Sequence, residues 1–294
     1  MMLDVTVGTA PVNWNNRDVP DYRPWTPYEE MLDQMEAGGY AGTEIGEEFP
    51  KNPETVLTDL GKHGLLPAST FCAVNLRDPQ AREEELERGE KVARFLEVLG
   101  VDTIIIADSG DELRRSMAGH VDDSHGLTED EWQSVAAGLE ELGERCNALG
   151  VRVVFHNHVG TYIESEAELC RLLEMTSPER VGLCFDLGHM VYAGGDIMRT
   201  MRSFGERLRY VHLKDVDPTV LERCRAEVLG FHEALRLGIF PEFGKGMVDF
   251  DAFFRALESL NYSGWIIAEQ DTTMQTPLAS AKHNRDFLRN RFDV

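Results

Sequence analysis

Eight short apolar runs rich in β-forming residues recur along the chain and alternate with helical patterns. The runs occupy residues 5–7, 43–45, 68–71, 103–106, 153–158, 183–186, 210–214 and 266–269. Between them, apolar residues return at the i, i+3, i+4 and i+7 positions of a buried helix face, most clearly from residue 132 to residue 149. Eight such repeats predict a (β/α)8 TIM barrel. An open doubly wound sheet fits less well, because it has fewer strands and a glycine-rich first turn that this sequence lacks.

The residues at the segment boundaries support these helices. Three hydroxyl residues are each followed by Glu three positions later, which is the pattern of a helix-starting capping box. These pairs are Thr26 with Glu29, Thr128 with Glu131, and Ser165 with Glu168. Gly64, Gly100 and Gly150 each stand before an apolar residue that enters the next strand. They are predicted to end the preceding helices in the left-handed conformation.

One connection is longer than a simple barrel loop and extends from residue 215 to residue 248. It contains a helical stretch around residues 220–237, followed by Phe243-Gly244-Lys245-Gly246. Insertions at the catalytic face of barrels often form lids, and the alternative is a purely structural excursion. We expect one TIM-barrel domain over residues 1–294, with residues 215–248 inserted after the seventh strand as a lid over the mouth.

Composition narrows the choice of partners. The formal net charge is -23 at pH 7 and the sequence pI is about 4.7. Such a charge repels phosphate backbones and anionic membranes, so neither nucleic acid nor a membrane is an expected partner. The sequence shows no basic leader and no run of about 18 apolar residues, so we expect a cytoplasmic protein. Five cysteines without C-x-x-C spacing are typical of buried thiols rather than of disulfides or a cysteine zinc site.

Four of the predicted strands end in side chains of metal-ligand type, namely His156, Asp186, His212 and Glu269. The carboxyl ends of parallel barrel strands converge at one mouth, so these four could surround one divalent cation. Mixed nitrogen and carboxylate donors favour Mn²⁺ or Co²⁺, with Zn²⁺ and Fe²⁺ as further options, over Mg²⁺. His158 faces the same way as His156 and could replace it as the ligand. Amidohydrolase barrels also use an H-x-H pair, but on the first strand, whereas here it lies on the fifth.

Other polar groups and aromatic rings point to the same mouth. Glu44, at the end of the second strand, is a candidate general base or acceptor for a substrate hydroxyl. Lys214 either takes part in proton transfer or only pairs with Asp186 or Glu269, and both readings stay open. Three aromatic residues either wall the pocket or pack in the core. These aromatics are Trp14, Phe71 and Phe243.

Several motifs, taken together, show a family resemblance over nearly the whole length. They include Gly8-Thr9-Ala10-Pro11, Gly42-Thr43-Glu44, His156-Asn157-His158, Phe185-Asp186, His212-Leu213-Lys214-Asp215, Gly244-Lys245-Gly246 and Gly264-Trp265 leading to Glu269. With these motifs the chain resembles the xylose-isomerase-like barrels of the sugar isomerase and epimerase superfamily, and within it the inosose dehydratase branch. Leu187 and Lys245 depart from the residues usual in that branch, and both departures bear on substrate identity.

The resemblance implies a divalent metal, usually manganese or cobalt, on His156, Asp186, His212 and Glu269. It implies a keto-polyol substrate and dehydration through a metal-stabilised enediolate, with isomerisation or epimerisation at the same site as the alternative. The expected acid–base groups are Glu44, His158 and Lys214. The expected substrate contacts are Trp14, Phe71, His189, Arg225 and Lys245.

Two other classes of protein, an endonuclease and a polyol-binding protein, are compatible with a barrel of this kind. A metal-dependent abasic-site endonuclease shares the barrel, but it needs a basic groove that this acidic chain does not predict. A non-catalytic polyol-binding protein would keep the aromatic walls without a metal. A homo-oligomer stays open, because the Arg-rich segment 282–291 is either a subunit contact or a solvated helix face.

Overall fold

A computed structural model describes residues 3–294 and contains nine parallel strands in one sheet. The strand order is β3-β2-β1-β9-β8-β7-β6-β5-β4. The strands are β1 Asp4–Thr9, β2 Gly42–Thr43, β3 Leu66–Pro67, β4 Phe71–Val74, β5 Thr103–Asp108, β6 Arg152–His156, β7 Val181–Asp186, β8 Leu208–Leu213 and β9 Ser263–Ala268. All pairs are parallel; pairs of consecutive strands are connected through helical crossovers, and the β1–β9 pair joins the first strand to the last. This sheet is the predicted (β/α)8 TIM barrel.

The count of nine arises because the third barrel strand is split into two halves. The first half, β3, pairs with β2, and the second half, β4, pairs with β5. Between them the amide of Ile45 donates to Ser69 O and the amide of Ile105 donates to Thr70 O. The Ser69 hydroxyl also donates to Thr103 O at 2.8 Å, where a regular ladder would place a backbone bond. The predicted run 68–71 lies at this break, so eight strand positions remain.

Twelve α-helices surround the sheet. They are α1 Tyr28–Gly38, α2 Pro53–Lys62, α3 Arg82–Leu99, α4 Glu112–Ser116, α5 Glu129–Asn147, α6 Glu166–Met175, α7 Leu187–Tyr192, α8 Ile197–Phe204, α9 Pro218–Glu227, α10 Phe231–Arg236, α11 Phe250–Ser259 and α12 Pro277–Phe292. Three short 3-10 helices add Pro11–Asn13, Asp123–His125 and Gly205–Arg207. Within residues 3–294, no helix is both long and apolar enough to cross a membrane.

The predicted helix boundaries are confirmed with one exception. Thr128 and Ser165 both form complete capping boxes. Gly64, Gly100 and Gly150 all have positive φ, between 64° and 72°. The capping box at Thr26 was a wrong prediction, since α1 starts one residue later with Pro27 at its N-cap. The backbone of Thr26 is instead held by the side chain of Asn15, with bonds of 2.8 and 3.0 Å.

The core has two layers that fix the strand ends. The larger layer lies between the strands and the helices and is continuous around the barrel. A smaller cluster fills the barrel interior below the mouth and contains Ala10, Ala68, Ile105, Val154, Cys184, Tyr210 and Ile267. Because this interior cluster is apolar and filled by side chains, the polar side chains at the strand ends lie directly above a layer that excludes water.

Residues 215–248 contain two helices, α9 and α10, rather than the one continuous stretch that the sequence pattern indicated. A third apolar cluster joins this segment to the rest of the chain, including Val159, Tyr192, Leu221, Phe231 and Phe240. Asp215, which is 1% exposed, starts the segment. Its carboxylate accepts backbone N–H bonds from Val216, Gly244, Gly246 and Val248, at 2.9 to 3.0 Å. One side chain therefore ties both ends of the segment together.

Replacing Asp215 by Ala is expected to destabilise the protein by about 3–5 kcal/mol, because four buried or part-buried N–H groups lose a charged acceptor. The matched control is Asp217→Ala, which removes only the N-cap bonds of α9 to Thr219 and Val220. That loss should be about 1 kcal/mol. Urea unfolding measures both. Equal midpoints for the two variants would contradict the anchoring role of Asp215.

Candidate active site

Four ligand-type side chains meet where four neighbouring strands end. His156 closes β6, Asp186 closes β7, His212 is the penultimate residue of β8, and Glu269 directly follows β9. One donor atom from each lies within 4.8 Å of the other three, and all four side chains are buried. The structure therefore brings together the four side chains expected to bind a metal.

The contacts within this cluster are short. His156 Nε2 is 3.1 Å from His212 Nδ1 and 3.5 Å from Asp186 Oδ2. His212 Nδ1 is 3.1 Å from Glu269 Oε2 and 3.8 Å from Asp186 Oδ2. Two imidazole nitrogens and two carboxylate oxygens thus face one small volume. These donors match the mixed set that divalent transition metals prefer, so the residues present fit such an ion.

Lys214 supplies the positive charge that borders the cluster. Its ammonium lies 2.9 Å from Asp186 Oδ2 and 3.4 Å from Asp271 Oδ1, and it also donates to Glu269 Oε2. Burial opposes ionisation of Asp186, but Lys214 and His156 outweigh it and lower the pKa of that carboxyl to about 2. Burial likewise opposes ionisation of Glu269, yet His212 and Lys214 hold its pKa well below the usual range. Both carboxylates are therefore charged, as metal ligands must be.

Glu44 contacts His212 on the side away from the cluster. Its Oε1 lies 2.8 Å from His212 Nε2, and both side chains are buried. The carboxylate accepts a hydrogen bond from Nε2–H of His212. This bond orients the ring so that Nδ1 faces the other ligands. Carboxylate–histidine pairs of this kind orient ligands in many metal sites. The observed contact therefore gives Glu44 a positioning role, in addition to the acid–base role expected from the sequence.

Two asparagines fix the backbone next to the carboxylate ligands. Asn157 donates to Asp186 O and accepts from Asp186 N, both at 3.1 Å. Asn13 donates to Ala268 O at 3.0 Å and accepts from Gln270 N at 2.9 Å. It therefore fixes the backbone on both sides of Glu269. The sequence interpretation assigned neither amide a role. The signal for Asn157 was its place between two strand-end histidines, whereas Asn13 gave no signal.

Two adjacent histidine rings, tilted by 36° to each other, and one phenylalanine form a wall beside the cluster. The rings of His158 and His189 lie 4.0 Å apart, and Phe71 meets His156 edge-on at 5.6 Å. His158 Nδ1 lies 2.7 Å from Val159 O, so this nitrogen carries the proton and leaves the Nε2 lone pair free. Burial lowers the pKa of His158, which keeps the ring neutral at pH 7. Phe71 is 42% exposed, so the wall opens to solvent on its side.

Three of the expected substrate contacts have other partners in the structure. The Trp14 indole is 1% exposed and donates to Gln34 on α1 at 2.8 Å. Arg225 donates to Tyr192 O at 3.2 Å. Lys245 pairs with Glu242 at 2.8 Å within its own segment. His189 and Phe71 thus lie beside the ligand cluster, whereas these three side chains are held elsewhere.

Asp271 and two further phenylalanines complete the surroundings and were missed in the sequence. Asp271 is buried, and its Oδ1 has no hydrogen bond to any residue that the structure describes. Its spacing from Glu269 was the available signal, because alternate residues of an extended segment share a face. Phe231 lies 5.5 Å from His158, and Phe240 lies 5.5 Å from His189. Both rings come from the inserted segment, whose path the sequence does not fix.

Comparison with known proteins agrees with this geometry. A family model described as xylose isomerase-like TIM barrel matches residues 32–291. Inosose dehydratase of Lacticaseibacillus casei (strain BL23) is 35% identical, covering 98% of this chain and 97% of that protein. Inosose dehydratase of Geobacillus kaustophilus (strain HTA426) is 34% identical, covering 96% and 93%. The crystal structure of IOLI protein with a binding zinc atom has the same fold, with a TM-score of 0.74, 16% identity and 97% coverage of both chains. The chain thus belongs to the xylose isomerase-like TIM barrel family, where its full-length relatives include inosose dehydratases.

Proposed function

We propose that this protein is a metal-dependent lyase that removes water from a keto-inositol, as an inosose dehydratase does. The observation that carries the proposal is the buried set of His156, Asp186, His212 and Glu269 beside a neutral histidine with a free nitrogen. Full-length relatives named inosose dehydratase support the substrate class. Mn²⁺ or Co²⁺ is the proposed ion, since the donor set mixes imidazole with carboxylate.

A divalent cation bound by these four residues would polarise a ketone and its neighbouring hydroxyl and so acidify the C–H bond between them. His158 is the proposed base, because its Nε2 is unprotonated and its ring borders the cluster. Lys214 is the proposed acid, because its ammonium carries protons beside the same carboxylates. The C–H proton passes to His158, a C=C bond forms, and the leaving hydroxyl takes a proton from Lys214 to depart as water.

The inserted segment is proposed to act as a lid over this chemistry. Phe231 and Phe240 place two apolar rings against His158 and His189. Such contacts exclude water from the proton-transfer groups, and a dry site strengthens charge interactions. On the opposite side, Phe71 leaves an apolar, partly exposed face on which the C–H face of a polyol ring can stack.

Incubation with scyllo-inosose in D₂O with Mn²⁺ or Co²⁺ tests the proposal. The expected result is loss of water and the appearance of a conjugated dione absorbance. Deuterium uptake into the substrate without loss of water would replace the dehydratase with an epimerase or isomerase at the same site. Binding of the substrate with neither change would contradict both enzymes.

Glu44→Gln is expected to weaken metal binding by about 10- to 100-fold, because a neutral amide no longer fixes the orientation of His212. Glu47→Gln is the control, since Glu47 pairs with Arg17 while 71% of its side chain is exposed. Isothermal titration with Mn²⁺ measures both variants. If Glu44 acts only as a general base, its variant binds metal as the native protein does and loses turnover alone.

A further inference from the structure

A cysteine lies directly beside the proposed metal ligands. Cys184 is two residues before Asp186 on β7, so both side chains face the barrel interior. It is also the register partner of His156 on β6. The thiol is fully buried in the apolar cluster beneath the mouth. None of the chemistry proposed above uses it.

The sulfur is within reach of both histidines of the cluster. Cys184, His156 and His212 each offer one donor atom, and the three atoms lie within 4.8 Å of one another. Zinc bonds of about 2.0–2.1 Å to nitrogen and about 2.3 Å to sulfur place tetrahedral donors roughly 3.3–3.6 Å apart. A contraction of at most about 1.2–1.5 Å would therefore bring the three donors onto one zinc ion.

The two histidine rings differ in how firmly hydrogen bonds hold them. This difference leaves the His156 ring free to move towards the Cys184 sulfur. His212 is fixed by Glu44 through its second nitrogen. The second nitrogen of His156, Nδ1, is buried and has no hydrogen-bond partner among residues 3–294. No acceptor therefore locks the His156 ring, and it can adjust towards the sulfur.

We propose that the centre has two overlapping ligand sets and that Zn²⁺ is taken by the deeper one, made of His156, Cys184 and His212. Thiolate is the softer ligand and suits Zn²⁺, whereas Mn²⁺ prefers the carboxylates of Asp186 and Glu269. On binding, the S–H bond breaks, the proton goes to solvent, and an S–Zn bond forms without any change of oxidation state. The inference rests on the proposed metal centre for its two histidines. Zinc held in this way sits below the mouth, away from the substrate.

X-ray absorption at the zinc edge of protein loaded with one equivalent of Zn²⁺ reads the sulfur directly. The native protein should show one sulfur at about 2.3 Å together with nitrogen or oxygen donors at about 2.0–2.1 Å. Cys184→Ser should lose the sulfur and bind Zn²⁺ about tenfold or more weakly, with Mn²⁺ affinity unchanged within about twofold. Cys170→Ser, a change of a half-buried cysteine on α6, should keep the sulfur. Glu269→Gln should also keep it, because that change affects only the carboxylate set.

Each outcome is decisive. A zinc shell of nitrogen and oxygen alone in the native protein overturns the deeper ligand set and leaves the proposed metal centre standing. A sulfur that persists in Cys184→Ser overturns the assignment to this cysteine. Failure of the native protein to bind zinc or manganese at all overturns the metal centre itself, and with it this inference.

Discussion

Replacing Asp186 by Asn, or Glu269 by Gln, is expected to remove both the bound Mn²⁺ and the activity. Each carboxylate is buried, and each offers an oxygen to the same small volume as the two histidines. A neutral amide withdraws the charge that holds a divalent cation. We expect Mn²⁺ affinity and kcat/KM to fall on the order of a thousandfold or more, since metal polarisation contributes several kcal/mol to such reactions.

Elemental analysis after dialysis and turnover of scyllo-inosose measure the two effects. Glu258→Gln, on the exposed face of α11, is the control and should change neither. Circular dichroism checks that each variant folds. A folded Asp186→Asn protein that retains stoichiometric Mn²⁺ and full turnover would contradict the assigned ligand set.

Replacing Lys214 by Met is expected to destabilise the metal-free protein by about 3–5 kcal/mol. The ammonium is buried among Asp186, Glu269 and Asp271, so its loss leaves three buried carboxyl groups without their cation. A bound divalent ion supplies positive charge at the same place. Saturating Mn²⁺ should therefore stabilise the Lys214→Met protein more than it stabilises the native protein.

Urea unfolding with and without Mn²⁺ measures this difference. Lys245→Met is the matched control, because Lys245 pairs with Glu242 while 47% of its side chain is exposed. Its loss should cost less than about 1 kcal/mol with or without metal. If Mn²⁺ stabilises the native and Lys214→Met proteins equally, the ammonium and the metal do not share these carboxylates.

The sequence predicted the barrel and the ligand cluster because both depend on simple periodicities. Apolar runs define the parallel strands, and a ligand-type residue at the end of each run must come to the shared mouth. Asp186, His212 and Glu269 followed from that rule, whereas it left His158 open as an alternative to His156. The break in the third strand was not predictable, because Ala68-Ser69-Thr70 has the composition of an uninterrupted strand.

Other features depend on contacts between distant parts of the chain. Glu44 was visible as a polar strand end, but its partner is the far nitrogen of His212, 168 residues away. Thr26 had the local pattern of a helix cap, yet Asn15 takes its backbone groups. The partners of Arg225 and Lys245 follow from how the insertion folds back, and a periodic pattern does not encode that path.

The split third strand also makes the hydrogen bonding around the barrel wall uneven. In the strand order, β8 stands at the centre and the two halves β3 and β4 stand at opposite ends. The four strands that carry the ligands, β6 to β9, are adjacent and paired with one another, with one register shift between β7 and β8 at Leu183/Cys184. The break between β3 and β4 lies across the barrel from His212 and is bordered by the half-exposed Phe71. We therefore expect local opening to be easier at the break beside Phe71 than among the paired strands β6 to β9.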